Sequence, residues 1–174
     1  KNECFLPPGE DASCPYFWPI GNRYIFLFFS HTTGSQYLLG DYNKEEHCFY
    51  PTFHGRFNFM SFLPGGVHAP SATSDGKGGV IVIHNMHTGK KSPGWRGITT
   101  LPRKLTLDKC DTINIQPYGD YKSLRTHHQH IDKTHLPANK EIIIDNIQGN
   151  ALEIKAEINI KSSPMIEMNV LRSP

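Results

Sequence analysis

Short apolar runs separated by turn-forming residues dominate this chain. Residues 24–29 (Tyr-Ile-Phe-Leu-Phe-Phe) and 80–84 (Val-Ile-Val-Ile-His) are two such runs, rich in β-branched and aromatic side chains. No window shows the i, i+3, i+4, i+7 spacing of apolar residues that is typical of an amphipathic helix. The pattern instead predicts short strands at residues 24–29, 36–41, 48–50, 69–73, 80–84, 98–101, 104–107 and 112–116. Many short antiparallel strands indicate an all-β protein, either a sandwich, a barrel or a propeller.

The strand pattern changes after residues 117–119. Beyond residue 125 the apolar positions alternate cleanly: in residues 152–160 every even position is apolar and every odd one is polar, and residues 165–170 repeat the pattern. Such a strand needs a covering sheet, because each large apolar side chain contributes about 1.5–3 kcal/mol when fully buried. We therefore predict one domain over residues 1–118, a linker at 119–125 and a second domain over 126–174.

Composition and charge exclude several classes of function. The 174 residues contain 18 Lys and Arg against 16 Asp and Glu, so a net charge of +2 favours neither nucleic acid nor an anionic membrane as a partner. The longest apolar run, residues 24–29, is far shorter than the roughly 20 residues that span a bilayer. The chain opens with Lys-Asn-Glu-Cys and has no apolar signal segment, so we expect a mature or truncated product.

The cysteines and histidines do not predict a metal site. Four cysteines, at positions 4, 14, 48 and 110, lack the spacing of a zinc site or a redox pair, so buried or idle thiols are expected. In a strand His128 and His130 would point the same way, with Asp132 on that face. Three well-placed ligands seldom come from one local tract, and a polar strand at the domain junction is the simpler interpretation. We predict no metal and no cofactor.

Two carboxylates precede the first long apolar run. Residues 9–20 read Gly-Glu-Asp-Ala-Ser-Cys-Pro-Tyr-Phe-Trp-Pro-Ile, which places Glu10 and Asp11 on a turn punctuated by glycine and proline. A β-protein would place a carboxylate for chemistry on such a turn. An ordinary solvated turn with aromatic core behind it has the same pattern.

Several segments, read together, resemble glycoside hydrolase family 32, the invertases, inulinases and other β-fructosidases. The strongest is residues 95–107, which read Trp-x-Gly-(x)3-Leu-Pro-Arg-x-Leu-Thr-Leu, followed by Ser-Leu-Arg at 123–125. Residues 34–42 and 67–71 add to the likeness. It covers nearly the whole chain but only the later part of that family's catalytic unit.

The resemblance implies an all-β chain that forms the later blades of a five-bladed β-propeller and the first strands of a β-sandwich. The implied reaction is hydrolysis of terminal β-fructofuranosyl bonds with retention, through a covalent fructosyl-enzyme intermediate. The implied partners are a carbohydrate substrate and the remainder of the same catalytic domain, and the family's location makes an extracellular or periplasmic protein the expectation. The family's Asn-Asp-Pro-Asn and Arg-Asp-Pro segments are absent here, so the printed chain is expected to be inactive by itself.

The family's acid/base motif, Glu-Cys-Pro, aligns with Ser13-Cys14-Pro15. A serine hydroxyl cannot replace a carboxylic acid as proton donor at neutral pH. The acid is therefore displaced to Glu10 or Asp11, or supplied from elsewhere, or the protein is a carbohydrate-binding homologue without catalysis. A displaced acid must have a raised pKa and point into the funnel that Asp41 and residues 67–70 border. A fructosyltransferase, which shares these motifs, is a further alternative.

Four other residues are predicted to contact the sugar. Asp41 and Tyr42 follow a predicted strand, and His68 stands where the family has an aromatic or small polar residue. Trp18 has an aromatic face on which a sugar ring can stack. Each also has an ordinary structural explanation: a solvated turn for Asp41 and Tyr42, a hydrogen-bonded turn for His68, and a core position for Trp18.

Overall fold

The protein is all-β. A computed structural model describes residues 6, 8–57, 66–86, 93–95 and 97–170. Within these residues the regular structure consists of nine strands and one short 3-10 helix. The chain divides into two compact units, Lys1–Gly119 and Asp120–Pro174. All the described strands belong to the first unit.

The first sheet contains four antiparallel strands in sequential order. They are β1 (Ser13–Ile20), β2 (Arg23–Ser30), β3 (Gly34–Asn43) and β4 (Cys48–Arg56). The three predicted strands in this region are confirmed and are longer than predicted. Asp41 and Tyr42, predicted to follow a strand, lie within β3 and pair with Tyr50 and Phe49 of β4.

Strand β1 was not predicted, because residues 9–20 read as a turn with Pro15 and Pro19 inside it. The structure accommodates both prolines because β1 is at the edge of its sheet, where one row of backbone N–H groups has no strand to pair with. The pairing with β2 shifts register between Ser13 and Tyr16, and Cys14 has a positive φ of 51°. This β-bulge turns the start of β1 and the carboxylates before it away from the regular ladder.

The second sheet contains β5 (Val67–Ser74), β6 (Val80–Met86), β8 (Arg103–Leu107) and β9 (Ile113–Pro117), in that order, with the short β7 (Ile98–Thr99) also paired to β6. The predicted hairpin turn joins β5 to β6. Asp75 closes it by accepting hydrogen bonds from the backbone N–H groups of Lys77 and Gly79, both at 2.7 Å. Its carboxylate also pairs with Lys104 of β8 at 2.6 Å. These bonds, that of Lys104 first, lower the pKa of Asp75 to about 2.

One hydrophobic core joins the two sheets. Both sheets contribute fully or almost fully buried side chains to it, namely Ile20, Ile25, Leu27 and Leu39 from the first and Val80, Val82 and Leu105 from the second. Alternation along β2 and β6 places these residues on one face of each strand. The result is two antiparallel sheets packed through a shared core, an architecture consistent with neighbouring blades of a partial propeller.

The second unit differs from the prediction. It begins with the 3-10 helix Tyr121–Leu124, after which Arg125 forms an ion pair with Glu153 at 2.5 Å. Residues 152–160 and 165–170, predicted as strands, form none, and their apolar side chains are exposed. Alternation predicts which face a strand would bury, but a strand also needs a hydrogen-bonded neighbour, and none pairs with these segments in the described residues. The sandwich assignment and the three domain ranges stay predictions.

No helix in the described part of the chain is long and apolar enough to cross a membrane.

Candidate functional site

Glu10 and Asp11 lie at the end of the first sheet where β1 begins and β2 ends. Ser13, at the start of β1, pairs with Phe29 near the end of β2. The turn from β2 to β3 therefore passes directly beside the two carboxylates. Local polar contacts hold both side chains against this turn.

Asp11 makes three polar contacts. Its Oδ2 atom accepts from Ser13 Oγ at 2.9 Å and contacts His31 Nδ1 at 2.6 Å, and its Oδ1 atom accepts from the backbone N–H of His31 at 3.0 Å. An ionised carboxylate only accepts hydrogen bonds, so Nδ1 of His31 must carry the proton in this pair.

A chain of hydrogen-bonded side chains holds Glu10 in place. Thr33 Oγ1 donates to Glu10 Oε2 at 2.8 Å and accepts from Gln36 Nε2 at 2.6 Å. The buried Gln36 amide oxygen in turn contacts His54 Nε2 at 2.6 Å. Because Thr33 has a single hydroxyl proton and directs it at Glu10, this carboxyl group is also an acceptor.

These contacts set the protonation state of both carboxyl groups. The hydrogen bond from His31, supported by those of Ser13, lowers the pKa of Asp11 well below its usual range. Burial raises the pKa of Glu10, but hydrogen bonds from Ser30 and Thr33 more than offset it and lower the pKa overall. A proton donor needs the opposite shift, so this geometry corrects the expectation of a raised pKa at Glu10 or Asp11.

His68 belongs to the same end of the sheets. Its ring centroid is 5.4 Å from that of Phe29, whose ring lies 4.9 Å from that of His31. The three rings thus form a continuous aromatic row from the β2–β3 turn to the start of β5. This row connects His68, through Phe29, to the turn that contacts the carboxylates.

Asp41 and Tyr42 lie at the other end of the first sheet. Asp41 forms an ion pair with Arg23 at 2.8 Å, and Arg23 begins β2, whereas Asp11 lies beside its last residues. Tyr42 packs its ring against Phe17 and Tyr24, with centroids 5.3 Å apart in each case. Seven residues of strand at about 3.3 Å each separate the two ends, so the structure does not bring Asp41 and Tyr42 to the carboxylates.

Trp18 packs on the core. It lies in the middle of β1, paired with Ile25, and contacts the core cluster while partly buried. Its position matches the ordinary structural explanation, a core aromatic side chain.

The remaining cysteines and histidines form no site among the described residues. Cys14, Cys48 and Cys110 are free thiols and are exposed, so of the expected buried or idle thiols they are not the buried kind, and Cys4 lies outside the described residues. No group of three His, Cys, Asp or Glu side chains in the described part of the chain is arranged to hold a metal ion. The histidine tract at 127–135 is exposed and forms no strand.

His31 is the residue that the sequence analysis missed. It follows the apolar strand β2 as the first residue of the turn His-Thr-Thr, and a histidine at such a place is common. Its partner Asp11 is 20 residues earlier in the chain. Only the antiparallel pairing of β1 with β2 brings the two together. Because β1 was not predicted, that pairing could not be predicted either.

Comparisons with known proteins support the fold. No protein-family model matches the chain, and no curated protein matches it. Among solved structures, the chain is similar to a glycoside hydrolase family 32 protein from Bifidobacterium adolescentis, with a TM-score of 0.51 and 15% identity over 64% of this chain. The match covers 19% of that protein's chain. At this identity the likeness shows a distant family-32-like fold and nothing finer.

Proposed function

We propose that this chain is part of a glycosidase that hydrolyses terminal β-fructofuranosyl bonds with retention of configuration. The observation that carries the proposal is the likeness of this chain, over 64% of its length, to a family 32 glycoside hydrolase. The family motif position, Ser13, falls at the end of the first sheet that bears Glu10 and Asp11, and His68 of β5 contacts Phe29 at this end. In this proposal that end forms one wall of the sugar pocket. The nucleophilic carboxylate comes from outside the printed residues.

A second candidate function is carbohydrate binding without cleavage. It is favoured by the serine at the motif position and by the acceptor state of both neighbouring carboxyl groups. Carboxylates that cannot donate a proton still accept hydrogen bonds from sugar hydroxyls. A fructosyltransferase differs from the hydrolase only in its acceptor, and product analysis separates the two.

The test uses the full-length protein with sucrose, inulin and an activated aryl β-fructoside. Release of free fructose from the natural sugars supports hydrolysis, and longer fructans among the products indicate transfer. Calorimetric binding of inulin without any product from any of the three substrates would contradict the enzyme proposal and support the binding protein.

Asp41 offers a test of which end of the sheet meets the sugar. In the full-length protein, Asp41→Asn is expected to leave the affinity for inulin unchanged. Asp41 forms an ion pair with Arg23 at the end of the first sheet opposite to Asp11. Its stability should fall by no more than about 1 kcal/mol, since Asp41 is largely exposed. The comparison variant is His68→Ala, which should weaken binding. A loss of affinity in Asp41→Asn alone would place the sugar at the Arg23 end.

A further inference from the structure

The Asp11–His31 pair is a polar arrangement that the resemblance does not account for. Histidine is absent from the family motif segment, yet here its ring is held 2.6 Å from a carboxylate beside Ser13. We propose that His31, oriented by Asp11, is the proton donor of this site and replaces the missing glutamic acid. This inference rests on the proposed hydrolysis.

The geometry fixes which ring atom would act. Asp11 holds His31 at two points, through Nδ1 and through the backbone N–H, so both the ring and the turn that carries it are positioned. With Nδ1 directed at Asp11, Nε2 lies on the opposite side of the ring. The His31 side chain is 61% exposed, so solvent reaches the ring.

The alternatives within reach are weaker donors. Glu10 and Asp11 act as acceptors in every side-chain hydrogen bond described for them, and the pKa of each is lowered. Ser13 donates its proton to Asp11 and has no acidity near neutrality. Histidine, by contrast, is the side chain that most often acts as a general acid or base.

The proton balance of the reaction is complete with one histidine. In the first step the Nε2 proton of imidazolium passes to the glycosidic oxygen as its bond to the fructosyl carbon breaks and that carbon bonds to a carboxylate nucleophile. His31 is then neutral, with Nδ1–H still directed at Asp11. In the second step Nε2 takes a proton from water, whose oxygen bonds to the fructosyl carbon and releases the carboxylate. His31 returns to imidazolium.

The titratable groups around His31 come from two elements, the segment before β1 and strand β5. Asp11 and Glu10 precede β1, and the Glu10 carboxylate meets the same turn through Thr32 and Thr33. His68 of β5 lies beyond the Phe29 ring. Asp11 makes the direct contact, so it is a positioning residue whose loss should lower the rate on sucrose more than the rate on the aryl fructoside.

The experiment compares full-length variants on sucrose and on an aryl fructoside with a good leaving group. His31→Gln is expected to lower kcat/KM on sucrose by about 10² to 10⁴, the usual contribution of a general acid, while largely sparing the aryl fructoside, whose leaving group needs no proton. Asp11→Asn is expected to lower kcat/KM on sucrose while largely sparing the aryl fructoside, because the His31 ring loses the carboxylate that orients it. His128→Gln, an exposed histidine of the second unit, is the matched control and should match the unmutated protein.

Each other outcome overturns the assignment. Full sucrose activity in His31→Gln contradicts the role of His31 while leaving the proposed hydrolysis intact. Equal losses on both substrates mean that His31 supports the structure and donates no proton. If the unmutated protein cleaves neither substrate, the proposed hydrolysis and the role of His31 fail together.

Discussion

Replacing Leu27 with alanine is expected to lower the free energy of unfolding by about 2–5 kcal/mol, the usual cost of truncating a fully buried leucine. Leu27 has no exposed surface and packs in the core that the two sheets share, among Val80, Val82 and Leu105. Its neighbours belong to strands on both sides, so the surrounding backbone has little freedom to close the cavity. The change should therefore weaken the attachment of one sheet to the other as well as β2 itself.

Denaturant unfolding of the full chain measures this effect as a shift in the midpoint. Leu101→Ala is the matched control, since Leu101 is 58% exposed and its truncation should change stability by less than about 0.5 kcal/mol. Similar losses in the two variants would mean that the shared core does not hold the sheets together.

The sequence predicts most of the first unit because its strands carry local signals. Residues 24–29 and 80–84 are apolar runs bounded by turn residues, and both form strands that supply the core. The turn at Asp75 has the Asp-Gly signal of a hairpin and forms one. Each of these predictions depends only on residues that are neighbours in the chain.

The failures have a common physical cause, which is dependence on pairing partners. Strand β1 forms despite two prolines because it needs partners on one side only, a property of its place in the sheet and not of its residues. Residues 152–160 have a clear strand pattern but form no strand, because alternation does not supply the hydrogen-bonded neighbour. The local residue pattern predicts that a segment favours a strand, and the presence of a pairing partner decides whether the strand forms.

Dependence on strand pairing also explains why the predicted site residues lie at two different ends of the first sheet. The sequence predicts that Glu10 and Asp11 lie on a turn before an apolar strand, and in the structure both directly precede β1. It could not predict that Asp41 would lie at the far end, since that depends on the register of β2 against β3. The partnership of Asp11 with His31 depends in the same way on the pairing of β1 with β2.

Restoring the motif glutamate is expected to rescue the His31→Gln variant. If His31 donates the proton, adding Ser13→Glu to His31→Gln in the full-length protein should recover a factor of about 10² or more in kcat/KM on sucrose. Ser13 Oγ lies 2.9 Å from Asp11 Oδ2, so a carboxyl group introduced there stands beside an ionised carboxylate. A negative charge at this short distance raises the pKa of the new carboxyl group and keeps it protonated, which is the state a proton donor needs.

Ser13→Gln in the same His31→Gln background is the matched control, because glutamine has nearly the size of glutamate and no acidic proton. It should give no recovery, and the aryl fructoside should be cleaved at similar rates by both double variants. A rescue that the glutamine variant shares would mean that side-chain size at position 13 restores activity. If neither variant recovers sucrose cleavage while aryl fructoside cleavage persists, position 13 does not face the glycosidic oxygen, and the alignment of Ser13 with the family's acid fails.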